Sequence, residues 1–266
     1  MTFSIDGKTA IVTGAANGIG LAIGRHFVDH GANVMFADMD EARLAHELGD
    51  RASEDNIAYF AGDLRERLTI ANLLSATIDA FDRVDILING SRQVLLTDPL
   101  DPDDTSLETL LDQNLMASYR LSQLIAKRMI KQAEGKDEGP VGSIVNLSSI
   151  AARRTHSELL GYSVSTAALD QMTRSMAVAL SPYRIRVNAV AFGSVMSASL
   201  KQSLKDNTTY RSDIEDHTPL SRIASPGELA DAVQYLASDG SGFVTGQILT
   251  VDGGRTLLDP VEAPAH

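Results

Sequence analysis

Seven short, β-branched apolar runs recur along the chain, and longer segments of helical periodicity separate most of them. No other feature of the sequence constrains its fold as strongly. The runs lie at 9–13, 33–37, 57–60, 84–89, 142–147, 184–189 and 247–251, and the helical patterns at 19–30, 41–52, 66–81, 107–132, 162–180 and 226–237. Strands alternating with helices at this spacing predict right-handed crossovers and a parallel sheet. Ile11-Val12-Thr13 and the Ile86-Leu87-Ile88 stretch lack the alternation of a half-exposed strand, which implies helices covering both sheet faces. The chain has 266 residues, 44% of them hydrophobic, enough for one large core. We therefore expect a single-domain, doubly wound α/β fold over residues 1–258. The segment 134–140 is charged and glycine-containing, as an exposed turn would be. The stretch at about 194–219 is the longest without a strand pattern and is expected to act as a substrate lid. A tail at 259–266 is expected to be loose unless it docks on a second subunit.

Charge and composition narrow the partners. A formal net charge of -12 disfavours nucleic acid and anionic membranes, both polyanions. The chain has no cysteine, which excludes disulfides and thiolate metal sites. Its first residues lack the basic-then-apolar pattern of a signal peptide, and no run approaches the ~18 apolar residues of a membrane span. His26 and His30 have helical i,i+4 spacing, but no third ligand accompanies them, so no metal site is expected. A cytoplasmic protein acting on small molecules is the resulting expectation.

The first predicted strand runs into Thr13-Gly14-Ala15-Ala16-Asn17-Gly18-Ile19-Gly20, and a helix follows. Glycines at such a junction allow a tight turn and close backbone approach to a pyrophosphate, whose charge the helix N-terminus favours. Gly14, Asn17, Gly18, Ile19 and Gly20 are thus candidate cofactor-binding residues; a tight turn without a ligand is the plainer alternative. The second strand delivers Asp38, whose carboxylate can accept from adenosine ribose hydroxyls and would repel a 2′-phosphate. No Arg or Lys stands in the loop or directly beside Asp38, though Arg43 is a few residues on, so NAD(H) is preferred over NADP(H). Asp38 could instead cap the next helix, for which Asp40 is an equal candidate. Asp63 and Leu64, after the third strand, are expected near the adenine edge.

These motifs, with others further along, resemble the short-chain dehydrogenase/reductase family from Gly7 to Gly254. The matching features are Thr-Gly-x-x-x-Gly-x-Gly at Thr13 to Gly20, Asn114, Asn146-Leu147-Ser148-Ser149, and Tyr162 at the usual interval after Ser149. Phe243-Val244-Thr245-Gly246-Gln247 and Val251-Asp252-Gly253-Gly254 resemble the family's last strand and its flanks. The resemblance implies a Rossmann-type domain and hydride transfer between NAD(H) and a small carbonyl or alcohol. Tyr162 would exchange a proton with the substrate oxygen, Ser149 would hold that oxygen, and Asn114 would order a water. Asn89, heading the loop after the fourth strand, and Val195, facing the carboxamide of nicotinamide, complete the implied cofactor contacts, which Tyr162 shares.

Departures from the family pattern gather at one end of that site. Tyr-x-x-x-Lys reads Tyr162-Ser163-Val164-Ser165-Thr166, so the lysine that lowers the tyrosine pKa and anchors the ribose is absent. Thr166 can donate a hydrogen bond but carries no charge. A phenol without such help, with an ordinary pKa of about 10, is only ~0.1% phenolate at neutral pH. Alcohol oxidation needs that base form, and carbonyl reduction needs the acid form. Asn-Asn-Ala-Gly reads Asn89-Gly90-Ser91-Arg92, and Pro-Gly reads Phe192-Gly193. Three readings stay open. In one, Arg92, permanently charged, replaces the lost cation of a working reductase. In another, the chain binds NAD(H) without turnover, in a structural or regulatory role. In the last, it binds no nucleotide at all.

Arg153, Arg154 and His156 lie between Ser149 and Tyr162, where they could recognise an acidic substrate or simply form an exposed basic loop. The helical patterns at 107–132 and 162–180 carry apolar stripes, at Leu111, Leu115, Ser118 and Leu121 and at Leu169, Met172, Met176 and Leu180. Such stripes suit a subunit interface, and the family resemblance implies a homotetramer or homodimer.

Overall fold

A computed structural model of the chain describes residues 3–259; most of the tail expected at 259–266 lies outside the described residues. Seven parallel strands form one sheet in the order β3-β2-β1-β4-β5-β6-β7. They are β1 (Thr9–Thr13), β2 (Asn33–Asp38), β3 (Ile57–Ala61), β4 (Ile86–Asn89), β5 (Gly142–Ser149), β6 (Ile185–Phe192) and β7 (Ile248–Val251). The chain steps outward from β1 to β3, returns to β4 beside β1, and continues to the other edge. The C-terminal ends of β1 and β4 therefore flank the crevice where this kind of sheet receives a ligand.

Helices cover both faces, as the continuous apolar strands predicted. On one side α1 (Gly18–Asp29), α2 (Glu41–Leu48) and α9 (Pro226–Ala237) pack on the sheet, and Phe27, Phe36, Leu44, Ile88 and Val233 are buried there. On the other, α3 (Arg67–Phe81), α5 (Ala117–Gln132) and α6 (Leu160–Leu180) bury Leu73, Leu87, Ile125, Met129, Ile144 and Met176. Helix α9 opens on a capping box, with the Ser225 side chain accepting from the Glu228 amide and Glu228 accepting from the Ser225 amide.

Local chemistry adjusts several expected boundaries. Helix α2 ends at Leu48, since Gly49 adopts φ +51° and a short 3-10 turn takes its place up to Ser53. Strands β5 and β6 run on to Ser149 and Phe192, two and three residues past the expected ends, paired to their last residues. The helix expected at 107–132 starts as α4 (Ser106–Leu110), widens into a π-helical turn over Leu111–Met116, and continues as α5. Such turns gather at functional sites, and this one carries Asn114. The 194–219 segment is helical in part, with α7 (Ala198–Asp206) and α8 (Tyr210–Asp216). Among the described residues no helix is long and apolar enough to cross a membrane.

Candidate functional site

A cleft of about 620 Å³ opens at the C-terminal ends of β1, β2 and β4. The glycine loop forms its floor for steric reasons. Gly14 sits at φ +68°, and a Cβ on it would lie 2.6 Å from the Gly90 carbonyl oxygen. A Cβ on Gly20 would lie 2.1 Å from the Gly14 oxygen, so α1 can reach the turn this closely only without side chains. Asn17 caps α1 in extended backbone but makes no side-chain cap bond, leaving first-turn N–H groups for an anion. Gly14, Asn17, Gly18, Ile19 and Gly20 all line the cleft.

Asp38, Asp63 and Leu64 line the same cleft, with Met39 and Arg65 beside them. The Asp38 carboxylate accepts from the Ala16 amide at 3.0 Å and the Asp40 amide at 3.2 Å. It thereby ties the second strand's end to the glycine loop and keeps further lone pairs for a ligand. Asp40, not Asp38, caps α2, by accepting from the Arg43 amide at 3.0 Å. Asp63 is gripped by Arg65, whose Nε and Nη2 donate to it at 3.0 and 2.5 Å. That guanidinium holds the Asp63 carboxyl below the usual carboxylate range. The sequence signal for Arg65 was its place two residues after Asp63.

At the other end two of the departures from the family pattern, Arg92 and Phe192, meet one another. Arg92 Nη1 donates to the Tyr162 hydroxyl at 3.1 Å, and its guanidinium stacks 4.3 Å from the Phe192 ring centroid. Tyr162 is 5% exposed, in the first turn of α6. Ala151 packs in one apolar cluster with Tyr162 and gives its amide to Ser149 Oγ at 3.1 Å. Ser149 and Tyr162 therefore sit on adjoining elements, both buried. The Thr166 hydroxyl turns back into its own helix and donates to the Tyr162 and Ser163 carbonyls at 2.9 and 3.1 Å. It offers no donor beyond α6.

The loop carrying Arg92 is fixed on both sides. Thr13 Oγ1 accepts from the Gly90 and Ser91 amides, and Gln113 donates to Ser91 Oγ. Asn114 brackets Gln93, accepting from its amide at 2.8 Å and donating to its carbonyl at 3.0 Å, and also donates to Ser165 Oγ. The Asn114 side chain thus holds the loop. Asn89 does not line the cleft. It is buried at the end of β4 and donates to Ser122 and Asn146, so it anchors the loop from beneath. Val195 is buried too, in a short bridge to Ala224, while Ser197 reaches the cleft wall.

The basic loop before Tyr162 faces elsewhere. Arg153 donates to Thr250 Oγ1 at 2.7 Å, and Arg154 donates to the Thr256 carbonyl. Both bind the chain's own C-terminal region. His156 is exposed, beside Glu158.

The family model described as enoyl-(acyl carrier protein) reductase matches residues 14–256. The chain belongs to the short-chain dehydrogenase/reductase family. It is 32% identical to the L-fucose dehydrogenase of Mus musculus over 94% of this chain and 89% of that protein. It is 31% identical to the 7α-hydroxysteroid dehydrogenase of Escherichia coli, strain K12, over 94% of each. A solved 7α-hydroxysteroid dehydrogenase, complexed with NADH and 7-oxo glycochenodeoxycholic acid, superposes with TM-score 0.85. It is 30% identical and covers 95% of this chain and 96% of that one. As a family member the chain is a dehydrogenase/reductase.

Proposed function

We propose that this dehydrogenase/reductase uses NAD(H) to interconvert a small alcohol and its carbonyl compound. The observation that carries the reading is the continuity of the cleft, from the open glycine loop and Asp38 to the loop whose Arg92 holds Tyr162. The residues fit the adenosine and pyrophosphate half of a dinucleotide. First-turn amides of α1 would face the pyrophosphate, Asp38 the ribose hydroxyls, and Asp63 with Leu64 the adenine edge. A 2′-phosphate beside the Asp38 carboxylate would be repelled, which favours NAD(H). A bound nicotinamide supplies or takes the hydride at the substrate carbon. Tyr162 moves the proton at the substrate oxygen, and Ser149, whose hydroxyl proton is free to donate, orients that oxygen. Val195 borders the carboxamide end, and α7 with α8 forms the substrate lid. The expected interface stripes turn inward, with Ser118, Leu121, Leu169 and Met176 buried within the chain itself. Tyr119, Val164 and Val178, exposed on α5 and α6, instead support a homodimeric or homotetrameric assembly.

The test is a paired titration and turnover assay. NADH should bind at least about tenfold more tightly than NADPH, roughly 1.4 kcal/mol. Turnover should then appear with L-fucose and NAD+, or with a 7-oxo bile acid and NADH, the substrate types of the relatives. Tighter NADPH binding would overturn the cofactor assignment. NADH binding without turnover of any alcohol or carbonyl in a wider panel would instead favour a non-catalytic NAD(H)-binding protein.

A further inference from the structure

We infer that Arg92 is the cation of the reactive site, a catalytic residue that holds the Tyr162 oxygen as an acceptor and stabilises the phenolate formed when Tyr162 gives up its proton. The inference rests on the oxidoreductase reading and assigns a part of that site which the family pattern does not contain.

The chemistry follows from the donor inventory. A guanidinium has N–H donors and no acceptor, so across the 3.1 Å contact the tyrosine oxygen must accept. The phenolic proton is left free to point at a substrate oxygen. In carbonyl reduction the substrate carbon accepts a hydride while a new O–H bond forms to its oxygen and the phenolic O–H bond breaks. The negative charge then resides on the oxygen of Tyr162, a residue that is almost fully buried. A buried anion is costly unless a charged partner meets it, and Arg92 already does. In alcohol oxidation the same phenolate takes the alcohol proton as hydride leaves the carbon. Arg92 exchanges no proton in either direction, because it stays charged throughout.

Three features keep the guanidinium ready for this role. It makes no ion pair with a carboxylate among the described residues, so its charge is not compensated before the reaction. Phe192, where the family has proline, presents its ring face to it, which favours a cation. Asn114 and Gln113 clamp the residues on either side of it, and such fixed donors need no reorganisation as charge develops. The missing lysine, the arginine in place of glycine and the phenylalanine in place of proline thus describe one relocated cation.

The decisive experiment reads Tyr162 directly, without substrate. The phenolate absorbance of Tyr162, taken as the difference between the native protein and Tyr162→Phe, is followed against pH. It should emerge at more alkaline pH in Arg92→Ala than in the native protein, with Arg92→Lys in between. In turnover assays Arg92→Ala should lower kcat on the order of 10²-fold, and its oxidation profile should move to more alkaline pH. An unmoved phenolate together with a kcat within about twofold of native would overturn the inference and leave the oxidoreductase reading intact. A moved phenolate in a protein that turns over no substrate would support the inference and count against that reading instead.

Discussion

The two ends of the cleft are built on different principles. The glycine-loop end, which we propose takes adenosine, is made by the absence of side chains: Gly14 and Gly20 leave no room for a Cβ, and the backbone itself forms the surface. The reactive end is made by added side chains, with Arg92 stacked on Phe192 and bonded to Tyr162. A surface made of backbone tolerates little change, because any added atom meets a main-chain atom that cannot move aside. A site made of side chains can be rebuilt by exchanging partners while the scaffold holds. The difference explains how one half can keep the family pattern while the other replaces its lysine, glycine and proline together.

The largest effect that sharpens this contrast is expected from Gly20→Ala. Its Cβ would fall 2.1 Å from the Gly14 oxygen, so the loop or α1 must shift, at a cost of roughly 1–3 kcal/mol. Titration with NADH or ADP-ribose should show affinity lowered on the order of 10-fold to 10²-fold, a loss that falls on both ligands alike. An unchanged ADP-ribose affinity would show that the glycine loop does not make the adenosine end.

Phe192→Leu should affect only the opposite end. It keeps most of the volume but removes the ring face under Arg92, a contact worth about 0.5–2 kcal/mol. A drop of roughly 2-fold to 30-fold in kcat is expected, with ADP-ribose affinity unchanged. Equal losses in both would mean that the two ends are not separable.

Much of this contrast was legible beforehand, and the reasons differ by residue. The strand runs are apolar on both faces, so periodicity located them to within a few residues. The glycine loop was readable because its geometry excludes other residues. The loss of lysine at Thr166 and the arrival of Arg92 could be seen as departures, and a reach of Arg92 to Tyr162 could be expected from them. The 3.1 Å contact itself comes from the fold, since the positions lie on β4's loop and on α6. The stack of Arg92 on Phe192 joins two strand ends that are not neighbours in sequence, and only the sheet order brings them together. Asn114 was recognised by motif, yet its clamp on Gln93 depends on the π-helical turn, which apolar spacing does not announce. The anchoring role of Asn89 was hidden likewise, because its partners Ser122 and Asn146 come from α5 and β5.

A smaller effect is read by pH at the Asp63 end of the cleft. Arg65 holds the Asp63 carboxyl below its ordinary value of 3.8, so its ionised form is favoured in the folded protein. The stabilisation from this pair is present above the unfolded carboxylate range and disappears only as pH falls through the lowered folded value. ADP-ribose affinity should therefore stay nearly flat between about pH 5 and 8. ADP-ribose binding that weakened steadily as pH fell across that window would contradict the part given to this pair.

If one cation serves Tyr162 from Arg92 in place of position 166, a four-protein cycle will show it. Steady-state kcat would be compared for the native protein, Arg92→Gly, Thr166→Lys and the double variant. Arg92→Gly should lose on the order of 10²-fold, and Thr166→Lys should gain nothing, since a second cation would crowd the first. The double variant should recover most of the loss, a strongly non-additive result. Additive losses, or a Thr166→Lys variant faster than the native protein with Arg92 still in place, would contradict the account.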